Sequence, residues 1–318
     1  MIVDQEVTIN IVRRPQNTSV SDQVLLLSSE SKVYGKQEAL QPLMELFAEE
    51  ISAITGKGIG LTNDDDSRAD IVFELEEELA EEEYKIEVTD VIEVEGGSYA
   101  ALAMARSTLL QMVFVEDSKL AFPVVTIEDA PDLQYRGLMI DLARNWHTVD
   151  NLKKLIDMAS FYKNNYVHLH FTDYQSYTLP SRKYPNLSTK DRHYSFEDLE
   201  ELERYSQLKG ITIIPEIDIP GHASSIVQAY PELFGLKDIK ENPWTINMGK
   251  EEVYTALEEI LSELIPIFKS TPYIHIGGDE AIFHKVGDDP EVQAYMKAND
   301  LGDDVHELYR QTHLRLNR

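Results

Sequence analysis

Residues 211–218 read ITIIPEID, a short apolar run closing on two acids, and three other stretches repeat the pattern: YRGLMID (135–141), YVHLHF (166–171) and YIHIGG (273–278). Each is almost continuously apolar, as strands of a parallel sheet covered on both faces are. Between them lie amphipathic segments, NLKKLIDMASFYKNN from residue 151, SFEDLEELERYSQLKG from 195 and EEVYTALEEILSELIPIFK from 251, and a further helical stretch is expected from about Glu291 to the end. Ser195 with Asp198 has the spacing of a capping box, and Gly210 is placed to close that helix. Strand, loop and helix in regular alternation mean βαβ units.

Polar residues gather where these strands end: Asp141, then Thr172-Asp173, Glu216 with Asp218, and Asp279-Glu280. Functional groups at the carboxyl ends of parallel strands mark the active face of a (β/α)8 barrel. A doubly wound sheet also binds ligands there, but no Gly-rich phosphate loop follows any strand. The expected fold class is therefore α/β, a partial (β/α)8 TIM barrel of about four βα units. Half a barrel leaves two sheet edges open. A fragment, a chain completed by a partner, or self-association through those edges is expected.

Working back from Ala130-Pro131-Asp132, the rhythm changes. Residues 1–130 mix short strand-like runs, VTINIV (7–12) and VLLL (24–27), with two helices, one from about Lys36 to Ile54 and one after Gly96-Gly97 with Ser98 as N-cap. Between them, DIVFELEEELAEEEYKIEVTDVIEVEGG alternates apolar and charged residues like half-buried antiparallel strands. Its acidic run, Glu76 to Glu83, reads as a solvated hairpin end. This is a small α+β domain, so the division expected is 1–130 and 131–318.

Lys and Arg total 29 against 57 Asp and Glu, a formal charge of −28. Such a surface repels phosphate backbones and anionic lipid, which argues against nucleic-acid and membrane partners. With no cysteine, disulfides and thiolate chemistry are excluded. MIVDQEVTINIV lacks the basic start and apolar core of a signal peptide, and no apolar run approaches the roughly 20 residues a bilayer requires. A soluble chain is expected, with a cytoplasmic location as the default.

Asp279 and Glu280 are the leading candidates for chemistry. On a strand they would face opposite ways, but after Gly277 and Gly278 both can turn inward. Two close carboxylates resist ionising together, which leaves one as a general acid; the plain alternative is a helix cap with a first-turn acid. In PEIDIPGH, Pro220-Gly221 turns the chain so that His222 can point back over the sheet. Arg136 either pairs with a nearby acid or offers its fork of donors to sugar hydroxyls. His168 and His170 fit a metal site or a pair of satisfied core histidines. Tyr174, Tyr177, Trp146 and Trp244 could line a sugar site or belong to the core.

Taken together, YRGLMIDLARNW, HLHFTDYQ, IIPEIDIPGH and YIHIGGDE, in this order and spacing, resemble glycoside hydrolase family 20, the β-N-acetylhexosaminidases. The resemblance runs from about Gln134 to Phe283, and the region leading into TIEDAPDLQYRG resembles the α+β domain that precedes the family's barrel. It implies hydrolysis of terminal β-linked N-acetylglucosamine or N-acetylgalactosamine with retention of configuration. The substrate's own acetamido oxygen serves as nucleophile in this family. Glu280 would protonate the leaving oxygen and Asp279 would hold the acetamido N–H. Arg136 would bind sugar hydroxyls, with Asp173 and His222 supporting the site. No cofactor and no metal are implied; the partner is a carbohydrate. The run Asp173-Tyr174-Gln175-Ser176-Tyr177 departs from the family's usual Gln-Gly-Trp after that Asp.

Two other classes fit the same residues. A metal-dependent barrel hydrolase would use His168, His170, His222, Asp218 and Asp279 as ligands. A non-catalytic carbohydrate-binding fragment would bind or self-associate without turnover.

Overall fold

The computed structural model describes residues 2–4, 9–62, 69–237 and 239–317. Internal packing divides the chain into two compact units. The first comprises Met1–Gly137, Lys154–Tyr166 and Tyr205–Ile211; the second comprises Leu138–Lys153, Val167–Arg204 and Thr212–Arg318.

The first unit is built on one sheet. Its strands are β1 (Ile2–Asp4), β2 (Asn17–Leu27), β3 (Lys32–Gly35), β4 (Gly60–Leu61), β5 (Ile71–Leu75), β6 (Tyr84–Val88), β7 (Ile92–Gly96), β8 (Phe114–Glu116) and β9 (Lys119–Asp129). They lie in the order β1-β2-β9-β6-β7-β5-β3-β4, with β8 added on β9. Helices α1 (Gln41–Thr55) and α2 (Tyr99–Met112) pack against the sheet through Leu43, Phe47, Leu102 and Leu109. Both helices end as their sequences require: Gly56, at φ 69°, caps α1, and the Ser98 hydroxyl accepts from Ala101 N at the start of α2.

Two expectations fail in this unit. Residues 9–12 of VTINIV form no strand, and residues 7 and 8 lie outside the described residues. The acidic segment is also not a purely antiparallel meander. β6 and β7 do pair antiparallel, with Ile86 opposite Val94, but β5 runs parallel to β7, with Phe73 opposite Val94. Alternation reports which face of a strand is buried; it carries no information on the direction of its neighbour.

Charges are buried here. The Arg106 guanidinium is 1% exposed and sits 3.2 Å from Glu50 and 2.7 Å from Ser160 Oγ. Lys209, likewise buried, reaches Glu50 at 2.6 Å and Asp157 at 2.7 Å. Lys163 donates to the Tyr84 hydroxyl at 2.9 Å, and burial lowers its pKa to about 8.

In the second unit, β10 (Gly137–Asp141), β11 (Tyr166–His170) and β12 (Thr212–Glu216) form a sheet in that order. Helices α3 (Val149–Phe161) and α4 (Phe196–Leu208) connect them. The capping box on α4 is reciprocal: Asp198 N donates to Ser195 Oγ at 3.0 Å and Ser195 N to Asp198 Oδ2 at 2.9 Å. Two short helices, α5 (Ser224–Ala229) and α6 (Pro231–Phe234), occupy the loop after β12, and α7 (Glu251–Leu264) follows.

YIHIGG contributes a parallel bridge between His275 and Glu216 instead of a full strand. The last helical stretch is interrupted: α8 (Pro290–Ala298) and α9 (Val305–Leu316) are separated by a turn with Gly302 at φ 69°, and Asp304 recaps the chain by accepting from His306 N. The result is a partial barrel that does not close. Among the described residues, no helix is long and apolar enough to cross a membrane.

Candidate active site

The ends of β10, β11 and β12 and the turn after Ile276 deliver one connected set of acids, imidazoles and a guanidinium. Asp141, last in β10, holds Arg144: its Oδ1 accepts from Arg144 N at 2.9 Å and its Oδ2 from the guanidinium at 2.7 Å. The other end of that guanidinium pairs with Asp173. Asp173 Oδ2 also lies 3.0 Å from His222 Nδ1 and 3.3 Å from His170 Nε2. Burial works against the charge on Asp173, but His170, the Tyr174 N–H, His222 and Arg144 outweigh it and hold the carboxyl below its ordinary range.

His222 is the pivot. With its Nδ1 on Asp173, its Nε2 faces Glu280 Oε2 at 3.5 Å and Asp279 Oδ2 at 3.8 Å. The backbone is bent to achieve this: His222 has φ 46°, Glu280 φ 51°, and Gly277 and Gly278 have φ 64° and 114°. Non-glycine residues in that region cost of order 1–3 kcal/mol and persist where surrounding structure imposes them. Gly277 is required on a second count, because a Cβ there would lie 1.9 Å from Asp218 Oδ1. The side chains of Asp279 and Glu280 are 70% and 77% exposed and stand open to a ligand.

Beneath them, Asp218 is buried and accepts from Gly278 N at 2.9 Å. Burial raises its pKa to about 8, with the negative charges of Asp279 and Glu216 adding to the effect against the Gly278 N–H. Glu216 is also buried, but it stands 2.8 Å from His168 Nε2 and 3.0 Å from both His170 Nδ1 and His275 Nδ1. His168 and His170 overcome the cost of burial and hold Glu216 well below the carboxylate range. His170, pulled down by burial and pushed up more strongly by Asp173 and Glu216, keeps its proton to about 10. His168 and His170 thus share one buried carboxylate at ion-pair distance, while His168 Nε2, His170 Nδ1 and Glu216 Oε2 make no hydrogen bond.

Among the described residues, three sets bring ligating atoms within 4.8 Å of each other: His168, Glu216 and His275; His170, Glu216 and Asp218; and Asp218, His222 and Asp279. Metal ligation requires a deprotonated carboxylate. Asp218 is common to two of the three sets.

This fold has counterparts. The profile of the glycosyl hydrolase family 20 catalytic domain matches residues 133–317, and that of the family's domain 2 matches residues 8–130. The chain belongs to glycosyl hydrolase family 20. A β-hexosaminidase of Vibrio furnissii is 32% identical over 258 residues, which span 72% of this chain and 42% of that protein. One from Porphyromonas gingivalis is 28% identical over 94% of this chain and 42% of its own length. Among solved structures, the β-N-acetylhexosaminidase of Bacteroides fragilis superposes with a TM-score of 0.85 at 29% identity, covering 96% of this chain and 63% of that one. The Vibrio harveyi family 20 exo-β-N-acetylglucosaminidase, in complex with N-acetylglucosamine, gives 0.84 at 25% identity, covering 97% and 53%. The chain therefore spans about half the length of the curated relatives it matches.

Of the site residues read from this family 20 sequence, Asp173, His222, Asp279 and Glu280 come together. Arg136 does not join them. It belongs to the first unit, where its buried guanidinium is bidentate on Glu82, at 2.7 and 3.3 Å, and also donates to the carbonyls of Leu133 and Lys163. The acidic run that read as a solvated hairpin end supplies this partner. Arg144 was not singled out from sequence, yet its guanidinium meets Asp173. Its signal was its place three residues beyond Asp141, in the loop that follows β10. Tyr177 is fully buried, whereas Tyr174 and Trp244 are exposed.

Proposed function

We propose that this chain carries the acid–base part of a β-N-acetylhexosaminidase site, which removes terminal β-linked N-acetylglucosamine or N-acetylgalactosamine with retention. The observation that carries the proposal is His222, whose Nδ1 lies 3.0 Å from Asp173 Oδ2 and whose Nε2 faces Glu280 and Asp279. In this reading the substrate's acetamido oxygen attacks the anomeric carbon as the glycosidic C–O bond breaks. Glu280 donates its proton to the departing oxygen, and Asp279 accepts from the acetamido N–H and balances the positive charge of the cyclic intermediate. Water then opens that intermediate, giving its proton to Glu280. Asp173 orients the His222 ring so that Nε2 stays on the acid.

The relatives named for action on N-acetylhexosaminides support the substrate class. The net charge of −28 supports an uncharged glycan over a nucleic acid. Arg136 has no part in the proposal while Glu82 occupies it.

The test is Glu280→Gln in the natural-length polypeptide containing these residues. Turnover of a methyl N-acetyl-β-glucosaminide should fall at least about a hundredfold, the scale of general acid–base loss. Near-normal turnover removes Glu280 from this role. Loss of turnover on treatment with a chelator would favour instead a metal bound by Asp218, His222 and Asp279.

A further inference from the structure

Residues 242–246, Asn-Pro-Trp-Thr-Ile, grip the chain on both sides of the His222–Glu280 pair. Toward His222, Ile246 N donates to Pro220 O at 3.0 Å and Ala223 N donates to Trp244 O at 3.3 Å, so the backbone immediately before and after the turn is fixed to this segment. Toward Glu280, the grip is made by side chains. Asn242 Nδ2 donates to Ile282 O at 2.8 Å and to His284 O at 3.0 Å, and Thr245 Oγ1 donates to Ile282 O at 2.8 Å. Asn242 and Thr245 are 1% and 0% exposed. Asn242 Oδ1 accepts from Trp244 N at 3.3 Å, which sets the amide so that its donors face the two carbonyls.

Beyond these bonds the segment is anchored by the Phe283 ring, which packs 4.7 Å from His306 and 5.5 Å from Tyr309. Residues 281–283 adopt no helix or strand. The Glu280 side chain, 77% exposed, is not packed in place, so its position follows from its backbone. Gly221 lies flat against that backbone, where a Cβ would come 3.2 Å from Asp279 O and from Ala281 Cα. The His222 turn and the acid's segment are thus stacked directly on one another, and 242–246 is the bracket that joins their far sides.

We propose that Asn242 and Thr245 are positioning residues, which hold the Glu280 carboxyl in register with His222 and the leaving oxygen. The proposal rests on Glu280 being the general acid. A misplacement of about 1 Å in a catalytic group can cost up to about a hundredfold in rate. Losing one of three donors should cost less, about tenfold, and only where proton donation limits the rate.

That condition supplies the test, again in the natural-length polypeptide. A methyl N-acetyl-β-glucosaminide leaves poorly and needs the acid; the dinitrophenyl glycoside leaves unaided. Thr245→Val should lower kcat/KM, which reports only as far as departure of the leaving group, about tenfold on the methyl glycoside and less than about twofold on the dinitrophenyl one, whereas Thr245→Ser, which keeps the donor, should behave as the parent. Equal losses on both substrates, or no loss in a folded variant, overturn the proposal. Should Thr245→Val not fold, Asn242→Asp is read by the same two substrates. Glu280→Gln run alongside separates the two levels. If it lowers kcat/KM equally on both substrates, the general-acid reading fails. If it is selective for the methyl glycoside and the Thr245 variant is not, this proposal fails alone.

Discussion

Both units of this chain bring charged side chains close together, but on opposite plans. In the first, Arg106 and Lys209 are buried around Glu50, Arg136 is spread over Glu82 and two carbonyls, and Lys163 is enclosed with Tyr84 and Asp129. In the second, Asp279 and Glu280 are largely exposed, the Arg144 side chain is 42% exposed, and the turns that carry His222 and Glu280 are left-handed. Residue type does not separate a structural ion pair from a reactive one. The separation comes from whether the charges are closed off from a ligand and whether the backbone is forced to present them.

The comparison breaks most readily at Glu50. Replacing it with Ala leaves Arg106 buried with hydroxyl partners and Lys209 with Asp157 alone, and should cost about 3–5 kcal/mol in urea unfolding, the usual result of orphaning a buried charge. A loss below about 1 kcal/mol would mean the first unit's charges are as loosely held as those of the second.

Next in size are two opposed pH dependences. Asp218 keeps its proton to about pH 8, far above the ordinary 3.8, so between these values the folded state binds a proton the unfolded state has released. Stability then declines as pH rises from about 4 to 8. Asp218→Asn, which keeps the acceptor for Gly278 N, should flatten that decline. Lys163 behaves in the reverse sense. Its folded pKa of about 8 lies below the ordinary 10.5, so the unfolded state binds more protons in that window. Stability gains from Lys163 as pH rises above about 8, and Lys163→Met should remove the gain. Denaturation midpoints from pH 5 to 10 for parent and both variants check the signs; matching slopes in the two variants would erase the contrast.

The smallest effect belongs to charges that are neither enclosed nor strained. Arg204→Ala, which breaks an exposed pair with Glu201 at 2.7 Å, should shift stability by less than about 0.5 kcal/mol. A larger loss would show that exposure is a poor guide to the role of a charge in this chain.

The partial barrel was legible because period and punctuation agree. Apolar runs end on acids, Ser195 and Asp198 cap a helix at both ends of one box, and Gly210 stops it. The convergence of Asp173, His222, Asp279 and Glu280 was legible for the same reason, each lying just past an apolar run. Arg136 misled because it sits at the start of its run, and local pattern cannot tell that Glu82, 54 residues earlier, will reach it first. The direction of β5 was hidden because burial alternates identically in parallel and antiparallel ladders. The break between α8 and α9 was missed although Gly302 and Asp304 carry stop and start signals, since the apolar spacing continues across them.

The bridge at His275 has a further consequence. Residues 275–276 are tied to the neighbouring strand by three backbone bonds, Ile217 N to His275 O, Ile219 N to Ile276 O and His275 N to Pro215 O. A rung so short can open on its own while the rest of the sheet stays shut, as weakly protected segments do in amide exchange. In the proposed function Glu280, four residues downstream, would then be in place for a fraction of the time, and that fraction would multiply every turnover.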